Sequence, residues 1–155
     1  MWNLFKKNNK TLVSPVDGKV ISLANVNDEA FASEALGTGF AVEFDGNQVV
    51  SPVDGTIVTC FPTGHAIGIE TSFAEIIIHI GIDTVEMKGD GFHVLVNDGD
   101  VVKKGDKLVE VDANLIRECG YDPVTMVLLT NHDKIELELE NKTVKAGDEV
   151  AKYLG

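Results

Sequence analysis

Ser14-Pro15-Val16-Asp17-Gly18-Lys19-Val20-Ile21 recurs as Ser51-Pro52-Val53-Asp54-Gly55-Thr56-Ile57-Val58. Each copy joins a proline and an Asp-Gly turn to a β-branched run, so the chain reads as turn followed by strand, used twice. A second phrase, Asp100-Val101-Val102-Lys103-Lys104-Gly105-Asp106-Lys107-Leu108, is echoed by Thr143-Val144-Lys145-Ala146-Gly147-Asp148-Glu149-Val150. Further Asp-Gly steps at Asp45-Gly46, Asp90-Gly91 and Asp98-Gly99 separate alternating runs such as Lys107 to Val111 and Lys134 to Leu139, the pattern of many short, half-buried strands. Only Asp28 to Leu36 and Asn114 to Cys119 look helical, and both are too short to cover a parallel sheet. The expected fold is therefore all-β: an antiparallel β-sandwich or distorted barrel with one or two short helices. The repeats are spaced too irregularly for a solenoid.

The 155 residues suit one domain, expected over 13–155 after a flexible N-terminal tail, 1–12. Apolar residues make up 44%, enough for a packed core. A net charge of −12 repels phosphate backbones and anionic headgroups, which argues against nucleic acid as a partner. No apolar run approaches bilayer length, and Met1 to Lys7 lacks a signal peptide's apolar stretch, so a cytoplasmic protein without stable membrane insertion is expected. Trp2, Leu4 and Phe5 beside Lys6 and Lys7 have the makings of a weak membrane tether, although a frayed tail is the favoured reading. Met1 and the C-terminus fit a free-standing protein. Cys60 and Cys119 have neither disulfide-framework nor metal-ligand spacing and read as buried small hydrophobes.

Most of the chemistry lies between Phe61 and Gly91. In Glu75-Ile76-Ile77-Ile78-His79-Ile80-Gly81-Ile82, period-two alternation puts Ile76, Ile78, Ile80 and Ile82 in the core and His79 on the opposite face, beside a glycine that leaves room for another molecule. Thr63-Gly64-His65 places a hydroxyl and an imidazole on one side if extended. If this segment and the His79 strand form a hairpin through Thr71 to Ala74, the two rings become cross-strand neighbours. A neutral imidazole is a nucleophile near pH 7 and accepts a phosphoryl group. Zinc is the rival ligand, but neither HxH nor HExxH is present. His93 and His132 read as solvated residues in turns. Val85-Glu86-Met87-Lys88-Gly89 is similar to the lysine hairpin of biotinyl and lipoyl carriers but lacks the second methionine. Gly37-Thr38-Gly39 is no dinucleotide loop.

Taken in order, Ser51 to Thr56, Thr63-Gly64-His65-Ala66, His79-Ile80-Gly81-Ile82-Asp83-Thr84-Val85, Lys88-Gly89 and Gly91-Phe92 carry a family resemblance that extends from about Val13 to Ala151. The chain resembles the glucose-family enzyme IIA of the bacterial phosphoenolpyruvate-dependent sugar phosphotransferase system. The resemblance implies a β-sandwich built from a duplicated barrel-sandwich hybrid motif, and a transferase that carries phosphoryl groups without a required cofactor. It implies that Nε2 of His79 accepts the group from the phosphocarrier HPr and passes it to a cysteine of the IIB domain of a sugar permease. His65 is then needed for onward donation, and Thr63 orients it by accepting from the opposite ring nitrogen. Phe31, Leu36, Phe61 and Val85 fall where the family builds an apolar docking rim. Asp83 matches a family position and joins the partner-binding set. Phe44 and Gly64 depart from the family pattern at positions expected not to touch the chemistry.

Two other readings stay open. One is a binding module that regulates transporters or metabolic enzymes through the same face, with zinc held by His65, His79 and a partner's carboxylate. The other is a zinc hydrolase using both histidines.

Overall fold

The computed structural model describes residues 10–155. Its strands are β1 (Thr11–Val13), β2 (Gly18–Ser22), β3 (Thr38–Phe44), β4 (Gln48–Val50), β5 (Gly55–Cys60), β6 (Ala66–Glu70) and β7 (Glu75–Ile82), followed by β8 (Phe92–Val94), β9 (Val101–Val102), β10 (Lys107–Val111), β11 (Asp122–Leu129), β12 (Ile135–Leu137), β13 (Thr143–Val144) and β14 (Glu149–Tyr153). Two short α-helices, α1 (Glu29–Ala32) and α2 (Ala113–Glu118), and two 3₁₀ turns, Leu23–Asn25 and Thr84–Met87, complete it. All strand pairing is antiparallel. The all-β expectation therefore holds, as sheets that do not close into a barrel.

An eight-stranded sheet in the order β13-β2-β3-β11-β7-β6-β5-β9 packs with two three-stranded sheets, β1-β14-β12 and β4-β10-β8. Read from either end, the large sheet gives equivalent strands: β13 matches β9, β2 matches β5, β3 matches β6 and β11 matches β7. The duplicated sequence phrases explain this symmetry. In one half Ser14 N–H donates to Asp148 O at 2.8 Å and Asp17 Oδ1 accepts from Ala146 N–H at 2.8 Å; in the other Ser51 N–H donates to Asp106 O at 2.8 Å and Asp54 Oδ1 accepts from Lys104 N–H at 2.9 Å. The halves are joined reciprocally, Val13 N–H to Pro52 O at 3.0 Å and Val50 N–H to Pro15 O at 2.7 Å. The two recurring phrases are thus one composite clasp, built twice.

A carboxylate that accepts a backbone N–H across chain-distant segments contributes about 1–3 kcal/mol. Asp17→Ala and Asp54→Ala should each lower the urea midpoint by a corresponding amount. Asp45→Ala, whose contact with Arg117 is an exposed ion pair at 3.6 Å, should cost under about 1 kcal/mol.

The domain boundary falls earlier than the sequence reading places it. Thr11 and Leu12, assigned there to the tail, are buried and paired with Lys152 and Ala151. The tether residues Trp2, Leu4 and Phe5 lie outside the described residues. In β7 the isoleucine stripe holds for Ile76, Ile78 and Ile80, which belong to the main core between the sheets. Each contributes roughly 1.5–3 kcal/mol by burial. Ile82 does not follow. It packs with Ile21, Leu23, Val26, Phe31, Val124 and Met126 in a second cluster, because Gly81 at φ 81° breaks the alternation of β7, at the point where the β7–β11 register shifts between Asp122 and Thr125. That second cluster backs the functional site.

Candidate functional site

The hairpin inferred from loop spacing is present. Thr71 Oγ1 accepts from Phe73 N–H at 3.1 Å and Ala74 N–H at 2.9 Å and donates to Ala74 O at 2.7 Å, tying the loop between β6 and β7. The register pairs Ala66 with His79, and Ile80 N–H donates to His65 O at 2.7 Å. The His65 and His79 ring centroids lie 5.2 Å apart with planes at 79°.

His79 is less outward-facing than alternation suggests. It is half-buried, and the Phe31 ring of α1 lies 5.0 Å from it, centroid to centroid. Gly81 does not open space either, since a Cβ there would overlap the Thr84 methyl and come 2.9 Å from Asp122 O. Its role is conformational. At φ 81°, accessible to glycine at little cost, it turns its carbonyl back to accept a hydrogen bond from His79 Nδ1 at 2.8 Å. A carbonyl only accepts, so the proton of neutral His79 sits on Nδ1 and the lone pair on Nε2.

Thr63 and His65 sit in a turn, not in an extended strand. Gly64 at φ 76° brings Thr63 Oγ1 within hydrogen-bonding distance of His65 Nδ1. Any side chain at 64 would press on Val94 and Phe92, at 3.0 and 3.1 Å. Gly64, expected to be remote from the chemistry, therefore shapes it. His65 is 7% exposed, and the Phe61 ring meets its edge at 5.5 Å.

Burial pushes the pKa of both imidazoles below the ordinary 6.5. For His79 the bond to Gly81 opposes that shift, the neighbouring His65 adds to it, and the carboxylates of Asp28 and Asp83 oppose it. Asp28 escaped sequence reasoning. It caps α1 through Ala30 N–H at 3.0 Å, and an acidic residue before a short apolar-bearing helix was its only signal.

Of the rim residues, Phe31 and Phe61 touch the imidazoles. Leu36, in the turn after α1, and Val85, in the 3₁₀ turn after β7, are 48% and 47% exposed. Asp83, at φ 60°, is exposed between β7 and that turn. Among the described residues no group of three His, Cys, Asp or Glu side chains could hold a metal. His65 and His79 alone leave a tetrahedral zinc set half-filled.

The family model for the phosphoenolpyruvate-dependent sugar phosphotransferase system, EIIA 1, matches residues 10–135. The chain belongs to this family. It is accordingly a phosphotransfer component of a glucose-type sugar phosphotransferase system. This EIIA is 45% identical over 132 residues to a glucose-specific EIIA component of Bacillus cereus, covering 84% of the chain and 80% of that protein. With the glucose-specific EIIA component of Oceanobacillus iheyensis it shares 41% identity over 155 aligned residues, 96% of the chain and 92% of that protein. Its structure is similar to the glucose permease IIA from Mycoplasma capricolum, with a TM-score of 0.85 and 40% identity, covering 91% and 93% of the two chains.

Elsewhere in this EIIA, His93 lies in β8 opposite Glu110, not in a turn. His132 is exposed in a turn at φ 61°. Cys119 is exposed at the end of α2 and Cys60 half-buried, so neither is the buried hydrophobe expected. Lys88 caps the 3₁₀ turn between β7 and β8, strands that pair with β6, β11 and β10 and not with each other, so it does not stand at the tip of a carrier-type hairpin. No helix among the described residues is long and apolar enough to cross a membrane.

Proposed function

We propose that His79 Nε2 of this EIIA takes a phosphoryl group from phospho-HPr and delivers it to a cysteine of the IIB domain of a glucose-type sugar permease, at the cytoplasmic side of the membrane. The observation that carries this reading is the Gly81 carbonyl on His79 Nδ1, which leaves Nε2 as the lone nucleophilic atom beside a second imidazole. In the accepting step a bond forms between Nε2 and phosphorus as the bond from phosphorus to the HPr histidine breaks. In the donating step the cysteine thiolate attacks phosphorus, and His79 leaves as neutral imidazole. Such transfers need positioning and charge stabilisation more than covalent assistance.

His65 supplies the charge stabilisation. Because its neutral ring has one N–H, Thr63 must donate to Nδ1 for Nε2–H to reach a phosphoryl oxygen; this reverses the direction inferred from the family pattern. Backbone amides near Gly81 to Asp83 are further donors. The exposed apolar side chains of Phe61, Leu36 and Val85 favour docking of both partners, with Asp28, Asp83 and the net charge of −12 steering a donor framed by basic residues. The same face would serve regulatory partners, and zinc would bind tightly there only with a partner's carboxylate as third ligand.

The test is intact mass after incubation with phosphoenolpyruvate, enzyme I and HPr, then with a IIB domain. One acid-labile phosphoryl adduct, discharged by IIB, is expected; no adduct with cognate HPr would end the reading. The association rate with HPr should fall several-fold as salt rises past the physiological range, measured by stopped flow. A salt-independent rate would remove the steering.

A further inference from the structure

Between Ile80 and Ile82 the ladder joining β7 to β11 breaks. Thr125 pairs with Ile80 and Asp122 with Ile82, leaving Pro123 and Val124 opposite Gly81. Neither offers a donor to β7: proline has no N–H, and the Val124 N–H donates to Asp122 Oδ1 at 2.9 Å. Buried carbonyls deprived of ladder partners need other donors. That of Gly81, facing the break, takes the His79 Nδ1–H at 2.8 Å; that of Ile80, whose N–H meets His65 O at the other edge of β7, takes the hydroxyl of Thr84. Thr84 is fully buried at the start of the 3₁₀ turn. Its methyl fills the space that a Cβ on residue 81 would enter. Hydroxyl and methyl together therefore fix the peptide between Ile80 and Gly81 from two sides, and that peptide sets where the next carbonyl points.

We propose that Thr84 is a positioning residue for His79: by holding the Ile80 carbonyl it keeps the Gly81 carbonyl on Nδ1, so that the imidazole has one tautomer and Nε2 keeps its lone pair. Thr84 does not touch the reacting nitrogen and acts only through Gly81. Asp122 assists by withdrawing the Val124 N–H that would otherwise compete for the Gly81 carbonyl. The inference rests on the proposed phosphoryl transfer for its effect on rate, whereas its effect on the tautomer is independent of that reading.

The experiment is long-range ¹⁵N–¹H correlation of the imidazoles in the full chain at pH 8, comparing wild type with Thr84→Val, Thr84→Ala and Thr84→Ser. His79 should be purely Nδ1–H in wild type and Thr84→Ser, and a mixture of tautomers in Thr84→Val and Thr84→Ala, with His65 signals unchanged. Labelling by phospho-HPr should slow by ~10- to 100-fold in the valine and alanine variants, as expected of a displaced nucleophile, and recover in the serine variant. A pure Nδ1–H tautomer in the variants without a hydroxyl would overturn the proposal, as would a mixed tautomer in Thr84→Ser. Should Thr84→Val fail to fold, the alanine and serine variants decide, because both lack the methyl and differ in the hydroxyl. Wild type that resists labelling yet shows the expected tautomers would refute the phosphoryl-transfer reading and leave the positioning role standing.

Discussion

His79→Gln protein is expected to carry no phosphoryl group under conditions that label wild type to completion, as read by intact mass after incubation with phosphoenolpyruvate, enzyme I and HPr. Glutamine fills the place of the ring with an uncharged amide and leaves the bond from Thr84 to the Ile80 carbonyl untouched, so the turn around Gly81 and Thr84 should survive. It has no nucleophilic lone pair to replace Nε2. Residual labelling at His65, or wild-type labelling of the variant, would show the nucleophile to be elsewhere. The same residue sets the pH dependence. Only the neutral ring attacks, and burial holds His79 below the ordinary 6.5, so kcat/KM for acceptance should stay flat as pH falls to 6.5 and decline only below it. An EIIA-dependent inflection at or above 6.5 would contradict the buried setting. A companion effect follows by linkage. Below pH 6.5 the unfolded chain binds protons at His65 and His79 that the folded chain refuses, so stability should fall as pH drops from 6.5 through the lowered native values.

Much of this arrangement was legible in the sequence because it rests on short-range rules. The alternation in Glu75 to Ile80 and the near-equal arms flanking Thr71 to Ala74 were enough to bring His65 and His79 together, since antiparallel pairing fixes register from the turn outward. The duplicated phrases announced a repeated unit. They did not reveal that Asp17 reaches Ala146 and Asp54 reaches Lys104, because contacts between distant segments leave no local signal. The misread positions around the two histidines share one cause, which is departure from regular strand geometry. Alternation carried through Gly81 puts Ile82 in the wrong cluster, and an extended reading of Thr63 to His65 misses the turn at Gly64. Positive φ at those glycines turns the carbonyl of one onto His79 and brings Thr63 to His65 at the other. Pro123, Asp122 and Thr84 were equally hidden, because their importance lies in which backbone donors and acceptors they remove or supply.

His65→Gln should separate the two halves of the reaction. The variant keeps His79, its bond to Gly81 and its apolar surroundings, so it is expected to accept a phosphoryl group at close to the wild-type rate. Discharge to the IIB cysteine should slow by ~10²–10³-fold, the cost of losing one preorganised donor to the charge that develops in transfer. His65 is 7% exposed, its ring stands edge-on to His79 at 79°, and Thr63 holds Nδ1, which directs the single N–H of the neutral ring to Nε2. Glutamine can place an amide N–H near that point but cannot use Thr63 to hold it. Thr63→Val, which leaves the imidazole and removes the hydroxyl, should therefore slow discharge by a smaller factor and spare acceptance. Single-turnover transfer from purified phospho-EIIA variants to IIB, followed by rapid-quench mass measurement, gives each rate. Equal discharge from His65→Gln and wild type would remove His65 from the donating step. A variant that cannot be charged at all would place His65 in acceptance as well, and the division of labour between the two histidines would fall.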